Sequence, residues 1–566
     1  MLPAMPTHSP SGADAPRAPS RRAVLTSAAA ATTGLLVLPF AGRGEVAATA
    51  PARREYDVVV YGGVPCGVAA AVAAARAGAA VLLVEPTRHV GGLSTSGINT
   101  AESEHMLKWT IGGLALEFYE RLGRRYGTNA PEYYFESSEA ERVFLAMLRE
   151  AKVEVRFGLR VERVRKAGAR IESVTLSDGS DVAAKAFVDA GYEGDLMARA
   201  GVDYTWGRES TAEFGEPLAG FRLDPQPRKG RTVDDAGHLL PGLSVHWKDI
   251  PAPGTGDRRV MNYNYRLCLT RAAGKRVPIP PPPAGYDRGR YRMLTDWAAA
   301  RAAGQPIKLA DVLDFYARRN GKYEANNKQA AVVSLGHFGG QFDYPDADYA
   351  GRARVVADHR HYTLGLLHFL ATDEAVPEPA RAEMRAWGLH ADEFVDNGNW
   401  PYQLYVREAR RMRGAYVVRQ RDVQDDLRKD DAVGVSSHFI DCHHVQRVAL
   451  NAGEWANEGR IWRIGWAYQI PYRALTPRPE QAANLLVPGA ASYTHVAYCT
   501  LRLESVWMIA GQAAGEAAAM AAKSGTTVQA VDVAELRARL VAGKQVIDFA
   551  PGQPEKCERL NGPPEF

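Results

Sequence analysis

Residues 56–97 contain the feature that most limits how this chain can fold. An apolar run, a glycine turn, an alanine-rich segment and a second apolar run ending in Glu85 follow one another. Val58–Tyr61 is typical of a buried parallel strand, and Gly62 and Gly63 permit a tight turn after it. This order predicts a βαβ unit, and hence an α/β fold with a Rossmann-like domain.

The glycine turn predicts a dinucleotide site. A helix over 67–77 would direct its N-terminal amides at a pyrophosphate, and Glu85 follows Gly62 by 23 residues, near the spacing of an acid that binds the adenosine ribose. Val64 replaces the second glycine of the strict motif, so close approach to the phosphate is assigned to Gly63. An ordinary α/β crossover is the alternative. The predicted contacts are Gly62, Gly63, Val64, Pro65, Cys66, Gly67 and Glu85.

The segment after the second strand favours FAD over a nicotinamide. A second glycine turn followed by hydroxyl side chains suits the pyrophosphate and ribityl chain of a long flavin dinucleotide. His89 is a weak candidate for a covalent flavin bond, and a non-covalent cofactor is expected. A strand over 186–190 would place Asp189 near the cofactor edge of the sheet. The further predicted FAD contacts are Gly91, Gly92, Leu93, Ser94, Asp189 and Gly489.

The C-terminal part of the chain offers a second half for this site. A strand is predicted over 484–489, and a long helix over 502–519. Gly511 and Gly515 are four residues apart, which gives the helix one flat face for close packing. We therefore expect this strand and helix to return to the first domain.

These and other segments resemble the FAD-dependent oxidoreductase family of secreted bacterial flavoproteins, some of which are labelled "xanthan lyase". The matching segments are 62–97, 188–197, 262–270, 404–412, 437–447 and 492–518. The resemblance implies a glutathione-reductase-like or fumarate-reductase-like FAD fold, in which the start of the C-terminal helix faces the flavin pyrimidine. It says little about the substrate.

The N-terminus predicts export by the twin-arginine route. Ser20–Leu25 matches the twin-arginine pattern, Ala23–Phe40 is mildly apolar, and small residues over 46–52 offer cleavage sites. The alternative, a membrane anchor, is disfavoured because this stretch is interrupted by Thr, Ser and Gly and falls short of the ~20 apolar residues of a spanning helix. Residues 1–50 are thus interpreted as a signal peptide of a secreted or periplasmic protein, with no stable membrane insertion.

Charge and cysteine content narrow the class of protein. The formal net charge is +4, and residues 1–50 contribute four arginines and two acids. The mature chain is therefore close to neutral and lacks the excess of basic residues that is typical of nucleic-acid-binding proteins. The five cysteines include no C-x-x-C pair. We therefore expect no disulfide framework and no metal, and interpret Cys66 as a small buried side chain.

The order of patterns predicts a divided domain organisation. The first part of the FAD-binding domain spans 53–199 and includes an inserted β-meander. A mixed α+β substrate or cap domain spans 200–483, 484–530 returns to the FAD-binding domain, and 531–566 is a tail. Within the cap domain, a helix is predicted over 402–413.

Four histidines near the C-terminus are the main candidates for chemistry. His495 is the first choice for the catalytic base because it lies between the Gly489 turn and the C-terminal helix, and histidine titrates near neutral pH. His438, Asp441, His443 and His444 form a second group, with metal, substrate-pocket and structural roles as alternatives. Adjacent residues point in different directions, so metal binding by all four is disfavoured. His443 and His444 are catalytic candidates and Asp441 a substrate contact.

Three arginines are candidates for binding an anionic group. Arg502, at the predicted start of the C-terminal helix, would stabilise reduced flavin or a substrate carboxylate. Arg407 and Arg473 are candidate substrate contacts, although a solvated basic face is an equal interpretation of the predicted 402–413 helix.

The sequence thus predicts an exported FAD-dependent oxidoreductase. It would oxidise a hydroxyl-bearing small molecule, such as a sugar or sugar acid, and pass electrons to oxygen or an external carrier. Reduction of an activated double bond is an alternative if Arg407, Arg473 and Arg502 converge, whereas separated arginines favour alcohol oxidation. A non-redox glycan lyase or binding protein with structural FAD is the third hypothesis.

Overall fold

The fold is taken from a computed structural model, which describes residues 55–557 except 283, 302–304 and 464. The predicted signal peptide and the last nine residues of the predicted tail lie outside the described residues. None of the helices in the described part of the chain has the length and apolar character needed to cross a membrane.

The strands are short outside the first 190 residues. They are β1 Glu55–Tyr61, β2 Val81–Glu85, β3 Glu154–Phe157, β4 Val161–Ala167, β5 Arg170–Leu176, β6 Asp181–Asp189, β7 Tyr204–Thr205, β8 Arg228–Lys229, β9 Leu267–Thr270, β10 Arg276–Val277, β11 Leu313–Ala317, β12 Tyr323–Asn327, β13 Gly388–His390, β14 Arg411–Met412, β15 Ala432–Ser436, β16 Ile440–Cys442, β17 Gln446–Asn451, β18 Glu454–Glu458, β19 Ile461–Arg463, β20 Tyr468–Pro471 and β21 Leu485–Leu486.

The α-helices range from one turn to 24 residues. They are α1 Pro65–Arg76, α2 Gly113–Arg125, α3 Ser137–Glu150, α4 Asp195–Arg199, α5 Thr211–Phe214, α6 Arg292–Ala300, α7 Tyr349–Thr372, α8 Glu378–Ala386, α9 Gln420–Gln424, α10 His495–Leu501, α11 Glu504–Ser524 and α12 Val533–Ala542.

A seven-stranded sheet in the order β3-β2-β1-β6-β5-β4, with β21 also paired to β6, organises the first part of the chain. Strands β3, β2, β1, β6 and β21 run parallel, whereas β4 and β5 form the antiparallel insertion. Val58 lies between Val81 and Ala186 in register, and Leu486 pairs with Val188. The structure therefore confirms the predicted Rossmann-like α/β fold, and the C-terminal strand returns to the first sheet.

Helices α1 and α11 cover one face of this sheet. Helix α1 begins at Pro65, two residues before the predicted start, because proline is well suited to the first helical position. Gly511 and Gly515 of α11 face the backbone of α1 at Cys66 and Ala70. Small residues on both helices thus bring the C-terminal helix next to the glycine turn.

The central part of the chain has its own antiparallel sheet, with the strand order β10-β13-β9-β12-β11. Tyr263, Leu269, Leu366 and Trp400 belong to a second apolar core, which includes residues of β9 and of the long helix α7. This sheet supplies one wall of the larger cavity described below.

One predicted helix is wrong. Residues 402–413 form no helix but an irregular chain that ends in the short strand β14. All of 404–412 is buried, and a helix with the solvated basic face considered above would leave part of this segment exposed. The predicted C-terminal helix is present as α11, which begins at Glu504, two residues after the predicted start. A separate short helix, α10, ends at Leu501, so Arg502 lies between the two helices.

Candidate active site

The first glycine turn is held by backbone hydrogen bonds and by Glu85. The Gly62 amide donates to the Val84 carbonyl at 2.8 Å, and the Gly63 amide donates to Glu85 Oε2 at 2.5 Å. Gly62 has a φ of 95°, which disfavours a side chain there. A Cβ on Gly67 would lie 1.7 Å from the Gly62 carbonyl oxygen. The conformation of this turn therefore requires glycine at residues 62 and 67.

A cavity of about 240 Å³ lies where β1 and β2 end. Gly62, Val64, Glu85, Gly191 and Tyr192 contribute to its lining. Among the described residues, no side chain caps the N-terminus of α1, so its first amides remain available for an anion. The glycine cradle, these amides and the Glu85 carboxylate fit the ADP half of FAD. Burial raises the pKa of Glu85.

The second glycine turn connects this cavity to α11. Gly91 and Gly92 have positive φ, and Gly92–Thr95 form a short 3₁₀ helix. Tyr192 accepts a hydrogen bond from the Leu93 amide at 3.0 Å and donates to Glu504 Oε1 at 2.7 Å. Ser94 also contacts the Glu504 carboxylate, and burial raises the pKa of Glu504. The start of the C-terminal helix therefore meets the second predicted FAD segment.

Asp189 and Gly489 support the turn that follows β6. The Asp189 carboxylate accepts hydrogen bonds from the Met197 amide at 2.7 Å and the Gly191 amide at 3.3 Å, and burial raises its pKa to about 7. A Cβ on Gly489 would lie 2.5 Å from the Gly191 carbonyl oxygen. Both residues thus shape the cavity through residue 191.

A second, larger cavity of about 690 Å³ lies beside β11, β12 and β16. Its wall combines carboxylates, cations and aromatic rings. These residues include Glu102, Glu104, Asp314, Glu324, Asp441, Arg266, Arg318, Arg460, His105, His438, His443, Tyr134, Tyr316, Phe439 and Trp462. Such a wall suits a polar ligand with several hydrogen-bonding groups.

Six buried side chains connect at the inner side of this cavity, and we call them the Tyr405 cluster. The cluster consists of Glu102, Tyr405, Arg407, Asp441, His443 and Arg502. Tyr405 donates a short hydrogen bond to Glu102. Arg502 donates to Tyr405 at 2.8 Å and to Asp441 Oδ2 at 3.0 Å. The Arg407 guanidinium lies 4.3 Å from the centre of the Tyr405 ring.

Five atoms of the Tyr405 cluster are buried without a hydrogen-bond partner among the described residues. They are Glu102 Oε2, Arg407 Nε, Asp441 Oδ1, His443 Nδ1 and Arg502 Nε. Buried polar atoms are nearly always satisfied in folded proteins. Glu102, Asp441 and His443 line the larger cavity, whereas Arg407 and Arg502 do not. The three unpartnered atoms on the lining residues indicate a place where a polar ligand or water completes the hydrogen bonds.

The residues at the end of β16 and just after it have different surroundings. Asp441 and His443 line the larger cavity, whereas His444 Nε2 is 2.9 Å from Asp224. Burial lowers the pKa values of His443 and His444. The adjacent histidines thus have different environments, and only His443 of the three catalytic histidine candidates lines this cavity.

His495 is enclosed by protein groups. Its Nδ1 is 2.9 Å from Glu408 and its Nε2 is 3.2 Å from Cys442 Sγ. Burial lowers its pKa, but Glu408 and Cys442 outweigh burial and raise it to about 10. The expectation that His495 takes a substrate proton does not fit this geometry, because both ring nitrogens already face protein partners.

Two of the three candidate arginines, Arg407 and Arg502, meet at Tyr405, and the third does not join them. Arg502 is fully buried in the Tyr405 cluster, and Arg407 donates to Asn262 and Asn264. Burial lowers the pKa of Arg407 to about 9. Arg473 instead pairs with Asp430 and Asp431 and lines neither cavity. The predicted clamp of three arginines is therefore not formed.

Several site residues escaped prediction because their partners are distant in sequence. Tyr405 donates a hydrogen bond to Glu102, which is 303 residues away in the sequence. Arg266, the residue directly before β9, lines the larger cavity. The segments around Arg266 and Tyr405 were recognisable only through the family resemblance. Glu102 had no signal in the sequence.

Comparisons with known proteins identify the family. The model of the FAD dependent oxidoreductase family matches residues 57–540, so the chain belongs to this family. It is a flavoenzyme whose cofactor is FAD. An oxidoreductase of this kind needs a substrate and an electron acceptor. No curated protein matches the chain.

Solved structures are similar only over parts of their length. Anhydrotetracycline hydroxylase OxyS from Streptomyces rimosus is 20% identical, with 28% of this chain and 36% of that chain covered and a TM-score of 0.20. Thioredoxin reductase from T. acidophilum is 21% identical, with 24% and 35% covered and a TM-score of 0.17. Glycine oxidase from Geobacillus kaustophilus is 15% identical, with 27% and 60% covered and a TM-score of 0.21. The chain thus spans about a third of the first two proteins.

Proposed function

We propose that this enzyme oxidises a hydroxyl-bearing small molecule, a sugar or a sugar acid, in the 690 Å³ cavity. The observation that carries the proposal is the set of three unpartnered atoms on residues of the Tyr405 cluster that line this cavity, namely Glu102 Oε2, Asp441 Oδ1 and His443 Nδ1. The two carboxylate oxygens accept hydrogen bonds, and the imidazole nitrogen accepts or donates according to its protonation. A hydroxyl group both donates and accepts, so a polyhydroxylated ligand can satisfy such a mixed set.

The cavity wall supports the same substrate class. Glu104 offers acceptors, Arg460 is a cation, and the Trp462 ring offers an apolar surface. Glu324 is already ion-paired with Arg266 and Arg318. A sugar presents hydroxyl groups at its edge and C–H groups on its faces, which match these two kinds of wall. The arginines also provide charge for a sugar acid.

The position of Arg473 weighs against the three-arginine clamp on which the alternative of double-bond reduction depends. Reduction of an unsaturated acid requires cations grouped around its carboxylate. Arg407 and Arg502 are held by Tyr405 and its neighbours, while Arg473 is paired with Asp430. Only two of the three arginines are therefore grouped, and the incomplete clamp favours the reaction in which a hydroxyl proton is removed.

His443 is the proposed acceptor of that proton. Its Nδ1 is buried without a partner among the described residues, and its Nε2 is 3.7 Å from Asp441 Oδ1. Arg502 holds the other oxygen of Asp441, so the carboxylate has a defined orientation. FAD supplies the two-electron acceptor when bound. The protein must therefore hold the hydroxyl near His443 and exclude water from it.

Export by the twin-arginine route is part of the proposal. It rests on Ser20–Leu25 and the apolar segment that follows. Oxygen or an external carrier would then receive the electrons. Replacement of Arg21 and Arg22 by lysine is expected to leave the protein in the cytoplasm, whereas unchanged export would contradict this route.

The substrate test follows the visible absorbance of oxidised FAD under anaerobic conditions, with sugars, sugar acids and other hydroxy acids added separately. Bleaching by a sugar or sugar acid supports the proposal. Reoxidation of dithionite-reduced enzyme by an unsaturated acid, without any bleaching by hydroxy compounds, would establish the reductase alternative. A flavin that responds in neither direction would indicate a structural cofactor.

A further inference from the structure

Three soft or borderline donor atoms meet in the interior beside the Tyr405 cluster. Cys442 ends β16, and His495 and Cys499 lie on α10. The two helical residues are four apart, so they lie on the same face of the helix. Cys442 Sγ, Cys499 Sγ and one His495 ring nitrogen all lie within 4.8 Å of one another, and all three residues are buried.

We infer that Cys442, Cys499 and His495 bind a thiophilic metal ion, Zn²⁺ or Cu⁺. A metal bonded to two thiolates and an imidazole separates its donor atoms by about 3.5–4 Å, given bond lengths of about 2.3 Å to sulfur and 2.0–2.1 Å to nitrogen. Cys442 Sγ and His495 Nε2 are 3.2 Å apart, so an opening of a few tenths of an ångström admits the ion. Two sulfurs and one imidazole select these soft or borderline metals over Mg²⁺ or Ca²⁺.

The surroundings of His495 support a ligand role. Glu408 Oε2 lies 2.9 Å from Nδ1, which favours a proton on Nδ1, so a metal ion would displace the proton between Nε2 and Cys442 and take the Nε2 lone pair. Carboxylate groups commonly orient metal-binding histidines in this way. Arg411 in turn pairs with Glu408 and Glu209, so the Glu408 carboxylate is itself fixed.

The local charge also favours a cation. Glu209 and Glu408 are buried carboxylates that share Arg411. Two thiolates would add further negative charge in a region with little water, which is costly without a compensating ion. Both cysteines are free thiols in the structure.

The ion would join two parts of the active site. Asp441 and His443 flank Cys442 and line the larger cavity, while α10 leads directly to Arg502. A bond from Cys442 to α10 through the metal would therefore fix the end of β16, which the proposed proton acceptor His443 directly follows. This inference concerns a different site and does not depend on which substrate is oxidised.

Elemental analysis of the full-length FAD-loaded enzyme tests the inference directly. One zinc or copper per chain is expected to survive dialysis against a weak chelator, or to be regained on adding Zn²⁺ under reducing conditions. Anaerobic titration of Cu⁺ against a chromophoric Cu⁺ chelator distinguishes the two metals. Failure of the wild-type enzyme to bind either ion would overturn the inference.

Matched cysteine variants assign the ligands. Cys442→Ser and Cys499→Ser are each expected to weaken binding at least 100-fold, whereas Cys268→Ser, a change at another buried free thiol, should retain the ion. Glu408→Gln should weaken binding about 10- to 100-fold. Retention of full affinity in both Cys442→Ser and Cys499→Ser would contradict the assignment.

A measurement on the wild-type enzyme avoids dependence on the folding of variants. Co²⁺ in the site is expected to give thiolate-to-cobalt charge-transfer absorption and the d–d spectrum of a low-coordinate ion. Cobalt bound without thiolate absorption would overturn the inference, as would mass spectrometric detection of a native Cys442–Cys499 disulfide. The flavin assay is a separate readout, so failure of the metal site and failure of the proposed oxidation are distinguishable.

Discussion

Gly511 lies so close to Cys66 that a Cβ on the glycine would be 2.1 Å from the Cys66 carbonyl oxygen. The two residues come from α11 and α1, which are separated by more than 400 residues in sequence. Because α1 begins at the phosphate turn, this contact connects the C-terminal helix to the first half of the FAD site. The absence of a side chain at residue 511 is therefore a condition for assembling the cofactor domain.

Gly511→Ala is expected to destabilise the protein by about 2 kcal/mol or more, since overpacking typically costs about 1–3 kcal/mol and the obstructing atom belongs to the backbone. Urea unfolding and FAD retention on gel filtration measure the effect. Gly274→Ala is the matched control because no atom lies within 4 Å of its added Cβ. Equal stability of the two variants would show that α1 and α11 are not closely packed.

Glu85→Gln is expected to weaken FAD binding about tenfold or more. The carboxylate holds the Gly63 amide and is placed to accept from a ribose hydroxyl, and a hydrogen bond to a charged group contributes about 1.5–3 kcal/mol. Fluorescence titration of the apoprotein with FAD measures the dissociation constant. The exposed Glu162 on β4 provides the control Glu162→Gln, which should bind FAD normally. Unchanged affinity in Glu85→Gln would remove Glu85 from the cofactor site.

The free energy of unfolding is expected to fall at acidic pH because the folded protein keeps the buried His359 neutral. Burial lowers its pKa to about 3, and Val355, His337, Asp358 and Arg290 surround it. The pKa of His359 in the folded state lies below the ordinary value of 6.5. The stability that this residue contributes is therefore fully present above about pH 6.5 and is lost as the pH falls toward 3.

The loss should approach ~1.4 kcal/mol per pH unit from this group alone, and His337, whose pKa burial also lowers, adds in the same direction. Urea unfolding between neutral and mildly acidic pH gives the slope. His359→Gln should flatten it, whereas His238→Gln, at an exposed site, should not. A slope that is the same in wild type and His359→Gln would contradict a neutral buried His359.

His443→Gln is expected to slow flavin reduction by about 10²–10⁴-fold, the usual contribution of a positioned base, while FAD affinity stays unchanged. Stopped-flow absorbance with the substrate found by the bleaching assay measures the rate. Arg473→Gln is the control, since Arg473 is partly exposed and ion-paired away from both cavities. Equal rates in wild type and His443→Gln would exclude His443 as the proton acceptor.

The variant Tyr405→Phe distinguishes a role of Tyr405 in positioning its neighbours from a role in binding the substrate directly. Removal of the hydroxyl takes away the hydrogen bonds from Tyr405 to Glu102 and from Arg502 to Tyr405 but keeps the ring beneath Arg407. We expect kcat to fall more than tenfold with a smaller change in KM. A raised KM with unchanged kcat would instead identify Tyr405 as a simple substrate contact.

The first glycine turn could be predicted because its information is local. The turn geometry needs glycine at residue 62, and close helix packing needs it at residue 67; the ribose acid follows at a spacing that one strand and one helix determine. The parallel sheet and the FAD cofactor follow from the same 40 residues and from the family resemblance, and the structure and the family comparison confirm them.

The predicted helix over 402–413 shows where local patterns are insufficient. Arg407 and Arg411 resemble the basic face of a surface helix, yet both are almost fully buried and bind partners far away in sequence. Their conformation depends on Asn264 and Glu209, so no pattern within 402–413 could determine it.

The sequence by itself determined the cofactor class and the Rossmann-like sheet, because strand alternation, glycine turns and helix packing depend on neighbouring residues. Only the tertiary structure decided which polar side chains meet. It brought Tyr405 to Glu102 and Arg502, enclosed His495 between Glu408 and Cys442, and separated Arg473 from the other arginines. These contacts join residues that are 43 to 303 positions apart in the sequence, and they depend on how sheets and helices pack rather than on any local spacing.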